Sequence, residues 1–88
     1  MTTDDTENAA SAGFVQEPLV VDARGHRCPV PTLRLRRALE QAVEGQAVRL
    51  LADDPLAKID VPHFVSTEGF TLLSSTQDGA TLVFEVVR

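Results

Sequence analysis

The chain predicts a two-layer α/β (α+β) sandwich of order βαβαββ, a four-stranded mixed sheet with two helices packed on one face. Three observations point there. A β-branched run and a second apolar run flank a stretch of helical periodicity, which demands a crossover and therefore parallel strands. Each of those runs leads into a residue-proline junction, Cys28-Pro29 and Asp54-Pro55, suited to a helix start. Two final stretches, 70–75 and 80–87, flank Gln77-Asp78-Gly79, a hairpin signal.

Leu19-Val20-Val21-Asp22-Ala23 is the first strand, ended by Gly25. From Pro29 to Val43 a helical wheel gathers Pro31, Leu35, Ala38, Leu39, Ala42 and Val43 on one side. Arg34, Arg37, Glu40, Gln41 and Glu44 fall on the other, and Gly45 is expected to stop the helix. Leu33 is the exception, an apolar residue on the polar side and a candidate docking contact, although single surface leucines are common. Ala47–Ala52 is the second strand. Pro62 predicts a break, since it removes the bond to the Lys58 carbonyl, so a turn is expected at 55–59 and a helix capped by Asp60 from 61 to 68, closed by Gly69. Residues 70–75 and 80–87 are the last two strands. Residues 1–17 are expected to be a disordered acidic tail, and 18–88 a single domain.

That tail has neither a basic start nor an apolar core, so it does not read as a signal or transit peptide. No apolar run approaches the length of a membrane span, and a soluble, cytoplasmic monomer is expected. The formal charge of −5 argues against a phosphate-backbone binder, as do the absence of Trp and Tyr and the presence of only four Phe. The charge is uneven, however. Five of the eight basic residues, Arg24, Arg27, Arg34, Arg36 and Arg37, crowd around position 28. They read either as a solvated helix face or as a positive patch that steers an acidic partner surface.

Cys28 is the only cysteine, which excludes an internal disulfide and a cysteine-pair redox site. With Pro29 at the first helical position, Cys28 falls at the N-cap, where the helix dipole favours thiolate. Pro31 lacks a donor, which leaves the Val30 N–H to bond the sulfur. Together with Arg27 and Arg24, this end predicts a thiol lowered from about 8.5 to about 7, a change of about 2 kcal/mol. The alternative is an inert, buried cysteine. A Cys28–His26 catalytic pair is disfavoured, because residues two apart in a turning segment point different ways. His63 reads as a surface residue, and Asp53, Asp54 and Asp60 as helix caps rather than a cation site.

Cys28-Pro29-Val30-Pro31, the arginine-rich helix after it, Leu51-Ala52-Asp53-Asp54-Pro55 and Asp60-Val61-Pro62-His63-Phe64 together resemble the TusA (SirA-like) family of small sulfur carriers, over residues 19–88. The resemblance implies the same βαβαββ fold. It implies that Cys28 carries sulfane sulfur as a persulfide, with Pro29 and Pro31 as the motif prolines. It further implies Asp54 as the acidic residue of the second motif, and Arg36 and Arg37 as basic residues facing partner proteins. Val30 stands where many relatives carry an acidic residue.

The resulting expectation is a sulfurtransferase-type carrier. A donor such as a cysteine desulfurase or a rhodanese loads Cys28, and a downstream acceptor protein unloads it. Arg27 and Val30 stabilise the sulfur, and Leu33, Arg36, Arg37 and Asp54 meet partners. Neither a cofactor nor a metal is expected, and neither direct nucleic-acid nor membrane contact. The rivals are a non-catalytic regulatory adaptor and, less favoured by charge, an RNA-binding module.

Overall fold

A computed structural model describes residues 17–88; the expected tail lies outside the described residues, apart from Glu17. The elements run β1 (Leu19–Asp22), α1 (Val30–Gln41), β2 (Val48–Ala52), α2 (Ala57–Glu68), β3 (Thr71–Asp78) and β4 (Thr81–Val87). They form one mixed sheet of order β1-β2-β4-β3, with β1 and β2 parallel and the β2–β4 and β3–β4 pairs antiparallel. This is the predicted βαβαββ sandwich.

Strict alternation in β2 and β4 buries Val48, Leu50 and Ala52, and Leu82, Phe84 and Val86, on the helical side. Onto them α1 packs Pro31, Leu35, Ala38 and Leu39, and α2 packs Ala57, Val61 and Val65. Burial of side chains such as Leu35, Leu39 and Phe84 stabilises the fold by roughly 1.5–3 kcal/mol each. The helical wheel therefore named the inner face of α1 correctly, except at its end. The helix stops at Gln41, not Val43, and Ala42 turns extended so that its methyl drops into the core, which leaves Val43 exposed. Gly45 lies in the following turn with φ 85°, and the Gln46 side chain accepts the Val43 N–H at 3.2 Å.

The second helix departs from expectation more clearly. It is continuous from Ala57 to Glu68, with Pro62 inside it, so the expected turn is confined to 55–56. Its entry is tight. Ala57, Lys58 and Ile59 donate to the carbonyls three residues back, and Asp60 then donates to Leu56 at 2.9 Å. An interior proline costs about 3 kcal/mol, but Val61 and Val65 are both buried, and their packing holds the helix together across it. Asp60 is thus a first-turn residue rather than a cap. Gly69 ends the helix at φ 79°, and the Phe70 N–H reaches back to the Val65 carbonyl at 3.0 Å, as expected of a left-handed terminator. β3 is longer than predicted, and the hairpin turn narrows to Gly79-Ala80 between the paired Asp78 and Thr81.

Candidate functional site

β1 and β2 run parallel, so their C-terminal ends emerge side by side, with Asp22 in register with Leu51. The segments that follow, 23–29 and 53–56, are forced together at that edge. Two carboxylates join them. Asp53 accepts the Gly25 N–H at 3.0 Å, and Asp54 accepts the Cys28 N–H at 2.9 Å through one oxygen and the Leu56 N–H at 3.1 Å through the other. These amide donors hold the Asp54 carboxyl below its ordinary range. Asp54 is therefore a bracket between the cysteine loop and the start of α2 rather than only a local cap.

Between the two segments lies a cleft of about 460 Å³ lined by Gly25, His26, Arg27, Cys28, Asp53, Asp54, Pro55 and Leu56. Cys28 sits partly exposed in its wall, joined to Pro29 by a cis peptide bond. The cap expected there is displaced by one residue. Pro29 is the N-cap, Val30 begins α1 and Pro31 is buried in the core, so Cys28 precedes the cap. The Val30 N–H is spent on the Arg27 carbonyl at 2.9 Å and is not free for the sulfur. Pro31 carries no donor either, so neither of these two positions offers an N–H to a thiolate.

The thiol responds accordingly. Burial, then a hydrogen bond with the Asp60 side chain, then the charges of Asp60 and Asp54 push the Cys28 pKa up to about 11. This overturns the expected lowering toward 7. Burial, with Asp60 of α2 and Asp54 of the loop before it adding negative charge, outweighs what the helix end and Arg27 were expected to supply. Arg27 acts instead on Asp54, whose carboxyl its charge helps to lower. His26 lines the same cleft as Cys28, and its backbone N–H bonds the Ala23 carbonyl at 3.2 Å.

The remaining arginines do not form one patch. Arg24 pairs with Asp22 at 2.7 Å, and Arg34 donates to the Asp22 carbonyl at 2.7 Å, tying α1 to the end of β1. Arg36 turns toward α2, where it meets Glu68 at 3.2 Å and lies 5.4 Å from the Phe64 ring centre. Arg37 turns the other way, into a groove of about 190 Å³ beside β1 with Arg34, Val20 and Gln41. Successive helical residues are about 100° apart, so Arg36 and Arg37 occupy opposite flanks of α1. The expected single face of Arg27, Leu33, Arg36 and Arg37 is thus divided, and of these only Arg27 lines the cleft with Cys28 and Asp54.

Leu33 is 57% exposed, as its place on the wheel required. Leu56 and Ile59, at 55% and 67%, are also exposed, and Leu56 lines the cleft. Neither drew notice in the sequence, because 55–59 read as a turn. Among the described residues no group of three or more acidic, His or Cys side chains is gathered for a metal ion, and no helix is long and apolar enough to cross a membrane.

Fold and site together define a small α/β domain that presents a single thiol where two adjacent parallel strands hand over to their helices. The chain belongs to the sulfurtransferase TusA family, whose model matches residues 19–88. A relative from Archaeoglobus fulgidus described as "Putative sulfur carrier protein" is 42% identical over 71 residues, covering 77% of this chain and 92% of its own. A solved SirA-like protein from Desulfitobacterium hafniense superimposes with a TM-score of 0.69 at 22% identity, over 78% of this chain and 95% of that one, a likeness of fold.

Proposed function

We propose that the chain relays sulfur by carrying it as a persulfide on Cys28. The observation that carries this reading is the placement of the one thiol, partly exposed in an open cleft and fixed by the Asp54 bond to its own N–H. In the loading step Cys28 sulfur attacks the outer sulfur of a donor persulfide. A new Cys28 sulfur–sulfur bond forms, the donor's sulfur–sulfur bond breaks, and the Cys28 proton ends on the departing donor thiol. In the unloading step an acceptor thiol attacks the outer sulfur, the Cys28 sulfur–sulfur bond breaks as the acceptor's forms, and the acceptor's thiol proton ends on Cys28. No redox partner is consumed, because the sulfane sulfur keeps its oxidation state throughout. The donor is a cysteine desulfurase, a rhodanese or a similar persulfide-forming protein, and the destination is tRNA thiolation, molybdenum-enzyme maturation or sulfur oxidation. Arg27 and Leu56 at the cleft, and Leu33 and Arg37 on α1, are the groups a docking partner meets.

The test is intact-mass analysis after incubation with persulfide donors. An increase of about 32 Da that is reversed by reductant and absent in Cys28→Ser is expected. No adduct from any donor, with function retained by Cys28→Ala, would instead favour the adaptor reading.

A further inference from the structure

β1 is an edge strand, and among the described residues no strand pairs with its outer side. Leu19 donates to the Ala47 carbonyl at 2.9 Å and Ala23 to the Leu51 carbonyl at 2.8 Å. Backbone groups alternate along a strand, so Val21 also faces β2, whereas Val20 and Asp22 direct theirs away from it. Both ends of this outer edge are closed. Arg34 donates to the Asp22 carbonyl at 2.7 Å, and Pro18, just before the strand, has no N–H to offer. Between them the N–H and C=O of Val20 and the N–H of Asp22 stay open. Beside this window lies the groove of about 190 Å³ between β1 and α1, which shares no lining residue with the Cys28 cleft. Its floor is apolar, with Val21 and Ala38 buried, and its rim carries Arg37 and Gln41. Arg37 forms no ion pair among the described residues, whereas Arg24, Arg36 and Arg49 each do.

We propose that this groove takes an extended, acidic segment of a partner protein, which adds to β1 as a short fifth strand of the four-stranded sheet. The open backbone groups and the one cation define that occupant. Val20 and Asp22 offer hydrogen bonds that any extended backbone can answer, so they demand a strand without reading its sequence. Side chains alternate along a strand, so every second residue of the added one turns toward α1. There Val21 and Ala38 suit apolar side chains, and Arg37 suits a carboxylate. A docked helix would cover the open N–H and C=O groups without answering them, and an uncharged strand would cover Arg37 unpaired, each at a cost in desolvation. The formal charge of −5 repels an acidic segment from most of the surface, which leaves the Arg37 groove as the place where one settles. The closed ends of the edge restrict the match to a few residues, as suits a partner that must leave again. The assignment goes beyond the relay reading and stands whether or not Cys28 carries sulfur.

The experiment titrates the full chain with the capped pentapeptide Val-Thr-Glu-Thr-Val, whose Val and Glu side chains share one face of a strand, and with its Gln analogue, while amide chemical shifts are followed. The Glu peptide should shift the Val20 and Asp22 N–H signals saturably. Replacing Glu by Gln in the peptide, or Arg37→Gln in the protein, should weaken binding about threefold in each case. The two changes together should weaken it no further than either alone, since both remove the same contact. Val20→Pro, which deletes an N–H that β2 does not use, should abolish binding; should that variant fail to fold, Arg37→Gln decides. No saturable shift at Val20 and Asp22, or equal affinity for the two peptides, overturns the proposal. Two other occupants would overturn it as well. Concentration-dependent dimerisation that protects the Val20 amide from exchange would assign the groove to a second copy. Protection of that amide in the free monomer, lost when Asp4→Asn, Asp5→Asn and Glu7→Gln are combined, would assign it to the chain's own acidic N-terminal residues.

Discussion

A raised thiol pKa is also a statement about stability, and Cys28→Ser isolates it. The thiol is pushed from an ordinary 9.0 to about 11 in the folded protein. Below pH 8 it is protonated in both folded and unfolded chains, and its contribution is fully present. Between pH 9 and 11 the unfolded chain gives up the proton while the folded one keeps it. The folded state then binds more protons, and stability falls as pH rises. Two units correspond to about 2.7 kcal/mol at most. Cys28 is only partly buried and water screens its acidic neighbours, which brings the expected loss to about 1 kcal/mol. Urea unfolding of wild type and Cys28→Ser at pH 8 and pH 11 measures it, since every other titrating group is common to both. Wild type should lose about 1 kcal/mol more than Cys28→Ser between the two, equivalent to about 4–8 °C in melting temperature for a domain of this size. Parallel losses, or a larger loss in Cys28→Ser, would show that the folded protein does not hold the proton, and the acidic environment assigned to the sulfur would be wrong.

Asp54→Ala should speed amide exchange at both Cys28 and Leu56 and lower the melting temperature, because both N–H groups lose their acceptor; Asp54→Asn, which keeps one acceptor oxygen, should fall between. Persulfide loading should slow in Asp54→Ala even where the protein remains folded, and unchanged loading would reduce Asp54 to a cap. Arg36→Glu should destabilise the domain, as it faces Glu68 with a like charge and removes the cation beside Phe64. Arg37→Glu should leave stability and alkylation untouched but slow loading by a donor protein in a salt-dependent way. Equal effects of the two in every assay would contradict their separation onto opposite flanks. Pro62→Ala should raise stability, by up to about 3 kcal/mol, since it returns a helical N–H opposite the Lys58 carbonyl; a fall on calorimetry would mean that the proline ring packs against its surroundings better than the methyl can.

What was legible in the sequence was whatever depends on neighbours along the chain. The period of Pro31, Leu35, Ala38 and Leu39 gave the inner face of α1 because it reports one helix against one core. Leu33 was placed outward by the same wheel. Pro62 misled because local propensity was weighed without the burial of Val61 and Val65 that offsets it. The site was misjudged for a related reason. Cys28 was assigned the electrostatics of its own helix end and of Arg27, whereas burial in the fold comes first in raising its pKa, followed by Asp60 and Asp54 from far along the chain. A signal for this pairing was nevertheless present. Two consecutive parallel strands each end in a residue-proline junction, and the carboxyl ends of adjacent parallel strands are where α/β sheets gather their functional groups. Once β1 and β2 are set in register, the loop holding Cys28 must meet the loop holding Asp54. The crossover thus joins the two motifs, and Asp54 of the second fixes the backbone of the cysteine that the first presents.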